Sequence, residues 1–135
     1  MRVPSPALIL ACVALFAASG GGAYAASSAP AGISFTDAKL KHGWTVYNPS
    51  LWGTPAYAKD SLGVVHLRGA MQAGSGDDAF VLPKGLRPVH SLVFSVGNTS
   101  TTGVEQLVIY SSGKVVPGVN GTAVFLDGVN FPTSS

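Results

Sequence analysis

Residues 57–88 read YAKDSLGVVHLRGAMQAGSGDDAFVLPKGLRP, and this stretch decides the fold class. A short strand over 56–59 ends at the turn Asp60-Ser61-Leu62-Gly63. The strand expected over 64–71 puts Val65, Leu67 and Met71 on one face, with His66 and Arg68 on the other. Gly74-Ser75-Gly76 closes it, and a further strand over 77–82 stops at Pro83. The chain then turns a corner through Gly85, Arg87 and Pro88. Pro83 ends a hydrogen-bond ladder, Gly85 permits positive φ, and Pro88 fixes the direction of the next segment. Arg87 stands where it can bond carbonyls or a carboxylate. These are the framework of an all-β domain, and nothing in them is built for bond-making chemistry.

The pattern continues on both sides. Residues 44–47 predict a strand ended by Asn48-Pro49, with Trp44 in the core. Residues 33–40 are ambiguous between an extended arm and a turn. Residues 89–96 put Leu92, Phe94 and Val96 on one face and Ser91 and Ser95 on the other. A polar loop over 98–103 leads to VEQLVIY, residues 104–110, which is apolar on both faces in its second half. Such a strand is central or covered by a neighbouring subunit. Ser111-Ser112-Gly113-Lys114 reads as a tight turn into Val115-Val116, and Asp127-Gly128 as a two-residue hairpin turn. No window after the first 25 residues shows sustained helical spacing with caps, so no long helix is expected. Short strands separated by turn residues predict an antiparallel β-sandwich or jelly roll.

The N-terminus has a different character. Arg2, the uncharged apolar run 7–18 and Ala23-Tyr24-Ala25 make a signal peptide cleaved after Ala25. An uncleaved anchor is the alternative. Cys12 sits inside the apolar run rather than at its end, which argues against lipidation. Residues 26–32 form a small-residue linker, and 33–135 the folded domain. The expected address is extracellular, with no membrane attachment after cleavage. Beyond residue 25 there is no cysteine, so the core or oligomerisation must hold the domain. Seven Lys/Arg stand against six Asp/Glu in that part, with no basic run, which argues against nucleic acid as a partner.

The chemistry-bearing residues are sparse. His42, His66 and His90 show no metal-ligand spacing, and no metal or other cofactor is expected. Asp77-Asp78 offers oxygen ligands, but adjacent strand residues point apart, so calcium is disfavoured. No Gly-x-Ser-x-Gly elbow is present, and the carboxylates sit mostly at expected turns, where they cap backbone amides. No catalytic residues are assigned. His66 and Arg68 share a face that suits an anion or simply solvent. Trp44, Tyr47, Trp52 and Tyr57 cluster within 14 residues. Aromatic faces stack on sugar rings and also anchor cores. Trp52, in a Pro-bracketed loop, is the best candidate for an exposed ligand contact, with packing on the sandwich edge as the alternative. Asn98-Thr99-Ser100 and Asn120-Gly121-Thr122 match glycosylation sequons.

Gly43-Trp44, residues 57–60, 63–69 and 80–88, and Leu126-Asp127-Gly128-Val129-Asn130-Phe131 together resemble a family of small β-domains. These close phage tail-fibre and minor tail proteins and occur in some secreted actinobacterial proteins. The resemblance implies a β-sandwich that often trimerises, binds a surface saccharide or protein, and carries no catalytic residues. The export signal and the lack of a shaft region fit a freestanding secreted relative. The expected function is therefore a secreted, non-catalytic module for a cell-surface ligand such as a glycan. A structural envelope or assembly protein is the runner-up, and a small secreted hydrolase ranks third.

Overall fold

A computed structural model describes residues 33–75, 77–118 and 122–134. The expected signal peptide, the linker, Gly76 and the second sequon's Asn120-Gly121 lie outside the described residues. The described chain is almost entirely antiparallel β. Its strands are β1 Thr36–Asp37, β2 Thr45–Val46, β3 Ala56–Lys59, β4 Val64–Arg68, β5 Ala70–Gln72, β6 Phe80–Val81, β7 Leu92–Gly97, β8 Val104–Ile109, β9 Lys114–Pro117, β10 Val124–Phe125 and β11 Asn130–Pro132. One four-residue helical turn, α1 Pro49–Trp52, interrupts them.

The strands form three sheets, ordered β1-β3-β4-β11, β10-β5-β2 and β6-β9-β8-β7. The two four-stranded sheets press Val65, Leu67 and Phe131 against Val96, Leu107, Ile109 and Val115. Phe94 packs tilted on Phe131 with centroids 6.4 Å apart. The three-stranded sheet closes one side with Met71 and Val124, and an Asn98–Val124 bridge joins it to the end of β7. Each large aliphatic chain buried this way contributes roughly 1.5–3 kcal/mol relative to exposure. Trp44 belongs to this core, and its indole Nε1 donates to the Ser75 carbonyl at 3.1 Å.

The β3–β4 hairpin has the register its sequence implies, with Tyr57 opposite Leu67 and Ala58 opposite His66. Asp60 fixes the turn. Its Oδ1 accepts from the Leu62 amide at 2.8 Å and the Val64 amide at 3.0 Å. Beyond Arg68 the expectation of one continuous strand fails. Gly69 has φ +95°, and a Cβ there would lie 2.4 Å from the Thr54 carbonyl oxygen. The chain bends at this close approach, so Ala70 and Met71 are both buried and β5 joins a different sheet.

Three other expectations are corrected. Asp127-Gly128 does turn the chain, with the Val129 amide donating to the Leu126 carbonyl at 3.1 Å. The flanking strands do not pair, because β10 pairs with β5 and β11 with β4. Positive φ occurs at Gly128 but not at Asp127. A turn of that kind splays its strands instead of matching hairpin twist. The strand expected over 77–82 shrinks to Phe80–Val81, because Asp78 turns inward to Lys41 and His42. Residues 104–110 are central, between β7 and β9, and they alternate: Leu107 and Ile109 are buried, whereas Val104 and Tyr110 are exposed. The arm over 33–40, ambiguous in sequence, runs extended. Thr36 and Asp37 pair with β3 at the edge of the opposite sheet, and Ala38 and Leu40 pack against the core.

Candidate functional site

The fold sorts the aromatic and charged candidates into three places. Tyr47 and Trp52 come together around Phe125 of β10. The Trp52 and Phe125 rings meet edge to face at 4.9 Å, and those of Tyr47 and Phe125 at 6.2 Å. Local chemistry holds Trp52 there. Asn48 adopts a left-handed conformation, Pro49 opens α1, and the Leu51 and Trp52 amides both donate to the Asn48 carbonyl at 3.0 Å. The Gly53 amide donates to the Pro49 carbonyl and ends the turn. Trp52 is left 41% exposed beside the more exposed Leu51. Its packing on Phe125 positions the ring without hiding it, so one aromatic surface faces solvent next to two more rings.

Tyr57 goes elsewhere. It lies on the inner face of β3, half-buried, stacked on Phe80 at 6.3 Å with 17° between planes. His66 and Arg68 share the opposite face of the same sheet, and both are engaged locally. His66 Nε2 lies 2.8 Å from Asp60 Oδ2. The Arg68 guanidinium sits 4.0 Å above the centre of the Phe35 ring, a cation–π contact that also seats the N-terminal arm. The hydrogen bond from His66, with the Val64 and Leu62 amides, holds the Asp60 carboxyl below its ordinary pKa against a smaller opposing effect of burial.

At the corner, the Leu86 amide donates to the Pro83 carbonyl at 3.1 Å, and Gly85 has φ +92°. Lys59 Nζ reaches the Gly85 carbonyl at 2.9 Å, tying the corner to β3. Arg87 Nε donates to the Leu82 carbonyl at 2.8 Å, while the Leu82 amide donates to the Gly113 carbonyl at 2.8 Å. Pro88 is buried behind them. The Leu82–Gly113 hydrogen bond ties this corner to the β8–β9 turn.

Two acidic features were illegible in sequence. Asp78 is buried, with Lys41 Nζ 3.3 Å from Oδ2 in an ion pair. His42 Nδ1 contacts the Asp78 carbonyl oxygen at 2.9 Å. Burial opposes ionisation of Asp78, but the Lys41 contact, the Asp78 amide and the charges of Lys41 and His42 outweigh it and lower its pKa. Its neighbours are thus cationic or basic rather than further oxygen ligands. No cluster of three or more His, Cys, Asp or Glu able to hold a metal occurs among the described residues. Glu105, in the strand expected over 104–110, lies buried on β8. It accepts from Asn98 Nδ2 at 2.8 Å, the Gly118 amide at 3.0 Å and Thr122 Oγ1 at 3.3 Å. Asn98 is therefore buried and committed to Glu105, and its sequon is not presented for modification in the folded domain.

No protein-family model matches the sequence, and no curated protein does. Among solved structures the fold is similar to that of the receptor-binding protein (gp15) of Listeria phage PSA. The TM-score is 0.64 at 17% identity, covering all of this chain and 82% of that one. At this identity the likeness is one of fold: an all-β architecture that also serves a phage receptor-binding protein.

Proposed function

We propose that this protein is a secreted, non-catalytic binding module that holds a cell-surface ligand, in the first place a glycan, on the aromatic cluster of Tyr47, Trp52 and Phe125. The observation that carries the reading is the exposed Trp52 ring, held by a four-residue turn edge to face on Phe125, which Tyr47 also meets edge to face. Pre-positioned aromatic surface of this kind suits the apolar face of a sugar ring, and its rigidity lowers the entropy cost of binding. The similarity of fold to a phage receptor-binding protein supports the same reading. Secretion rests on the N-terminal pattern of Arg2, the apolar run and Ala23-Tyr24-Ala25. A glycan array probed with the wild type and Trp52→Ala tests it. Retention of a glycan by the wild type, weakened at least about tenfold in the variant, is expected. Equal retention by both proteins would remove Trp52 from the site.

A second reading, an assembly or envelope part without a soluble ligand, is favoured by a row of valines on the outer face of β7, β8 and β9. Val93 stands opposite Val108, and Val108 opposite Val116. Val93 is 62% exposed, and such a row suits burial by a second copy, with a trimer as the arrangement expected from the family resemblance.

A further inference from the structure

A groove lies at the other end of β8 from Trp52. Gly97 and Val104 pair at the end of the β7–β8 ladder where Phe125 packs, and a Cβ on Gly97 would sit 3.5 Å from that ring. Tyr110 lies just beyond the other end of β8, about 20 Å away at strand rise. There a groove of about 500 Å³ is lined by Asp77, Asp78, Tyr110, Ser112, Lys114 and Val116. This is the size of a small-molecule site.

The groove gathers polar groups of both charges. Several charged side chains elsewhere, Asp60, Glu105, Arg68, Arg87 and Lys59 among them, are engaged by neighbours. In the groove, the Asp77 carboxylate, the Ser112 hydroxyl and the Lys114 ammonium make no side-chain hydrogen bond or ion pair among the described residues, with each other or with anything else. Asp78 is buried at the wall with its Oδ2 3.3 Å from Lys41 Nζ. Tyr110 presents a ring that is 42% exposed. Opposite charges in one concavity would gain by pairing, yet Asp77 and Lys114 do not reach one another.

We propose that this groove binds a small zwitterion: an ammonium group taken by Asp77 and the face of Tyr110, and an anionic group taken by Lys114 and Ser112. The charge pattern selects against simpler ligands. An anion alone meets Lys114 but also faces Asp77 and the carboxylate of Asp78. A cation alone meets the acids and the ring but faces Lys114. A neutral polyol leaves both charges partly desolvated and unpaired, which is unfavourable. A ligand with both charges pairs each of them, and the ring adds a cation–π contribution. Phosphate monoesters of amino alcohols and short peptides with free termini are two sources of this chemistry.

The test is an NMR titration of the uniformly ¹⁵N-labelled protein. The probes are phosphoethanolamine and alanylalanine, with ethanolamine, inorganic phosphate and glucose as half-ligand and polyol controls. One or both zwitterions should give saturable shifts at the amides of residues 77–79 and 110–116, with a dissociation constant on the order of a millimolar. Which of the two binds identifies the source. The controls should bind at least about tenfold more weakly. Asp77→Asn and Lys114→Met, both at exposed positions, should each weaken binding by a similar factor without moving the urea midpoint. Absence of saturable shifts with both zwitterions, shifts confined to other residues, or equal binding of phosphate or glucose would overturn the assignment. So would unchanged affinity in both variants.

Discussion

Replacing Glu105 with alanine should cost this domain more stability than any exposed substitution, because it strands the buried Asn98 amide. Asn98 is buried and its Nδ2 points at Oε1 from 2.8 Å. The Gly118 amide, 3.0 Å from Oε2, also donates to the Gln106 carbonyl at 2.8 Å and keeps that partner, and the Thr122 hydroxyl at 3.3 Å can rotate. The Asn98 donor therefore bears most of the loss. A hydrogen bond to a charged acceptor is worth about 1.5–3 kcal/mol, and a stranded buried donor costs about 1–3 kcal/mol. These are two measures of one loss, so with smaller contributions from Gly118 and Thr122 the expected destabilisation is about 2–4 kcal/mol. Glu105→Gln keeps the acceptor at Oε1 and sets an amide against the Gly118 N–H, for about 1–2 kcal/mol. At about 4 °C per kcal/mol for a domain of this size, the variants should melt about 8–16 °C and 4–8 °C below the wild type. Thermal and urea unfolding followed by tryptophan fluorescence measure both variants. A Glu105→Ala midpoint equal to wild type, or Gln as damaging as Ala, would refute the network as the source of stability.

The other predictions concern the corner, the acid limb and assembly. Gly85→Val should destabilise by about 1–3 kcal/mol through backbone strain alone, since φ is +92° and no atom lies within 4 Å of the added Cβ; an unchanged urea midpoint would contradict it. Asp60 has a folded pKa below its ordinary value of 3.8, so its contribution is complete above the unfolded carboxylate range and is lost as pH falls through the lower folded value. The wild-type urea midpoint should therefore fall more steeply than that of Asp60→Asn as pH drops below 3.8, and parallel curves would refute the pairing. If the valine row is a subunit contact, sedimentation equilibrium should show an oligomer that Val93→Lys or Val108→Lys dissociates. A wild-type monomer at tens of micromolar would leave that face to solvent.

Local pattern carried much of the fold. The β3–β4 hairpin was legible because its alternation and the Asp60–Gly63 turn are contiguous, and the same holds for Leu92, Phe94 and Val96 facing inward on β7. Where the reading failed, the deciding contact was distant in sequence. Gly69 breaks a strand because the Thr54 backbone passes over it, and the Asp127-Gly128 turn splays because its flanks are claimed by β5 and β4. Tyr47 and Trp52 stood out as aromatics in a short window. Phe125, which brings them together, looked like any strand phenylalanine, because its partners lie more than 70 residues away. Glu105 likewise carried no local mark of burial, since Gly118 and Thr122 reach it only after β9 folds back.

The central claim, that a surface ligand seats on Trp52, is tested most directly by acrylamide quenching of tryptophan fluorescence with and without a glycan retained on the array. The two tryptophans differ sharply, Trp44 being 3% and Trp52 41% exposed, so quenching reports mainly Trp52. Trp52→Phe supplies the baseline of Trp44 alone. The account predicts that saturating glycan lowers the wild-type quenching constant toward that baseline and leaves Trp52→Phe unchanged. Bound glycan that leaves wild-type quenching at its free value would contradict it.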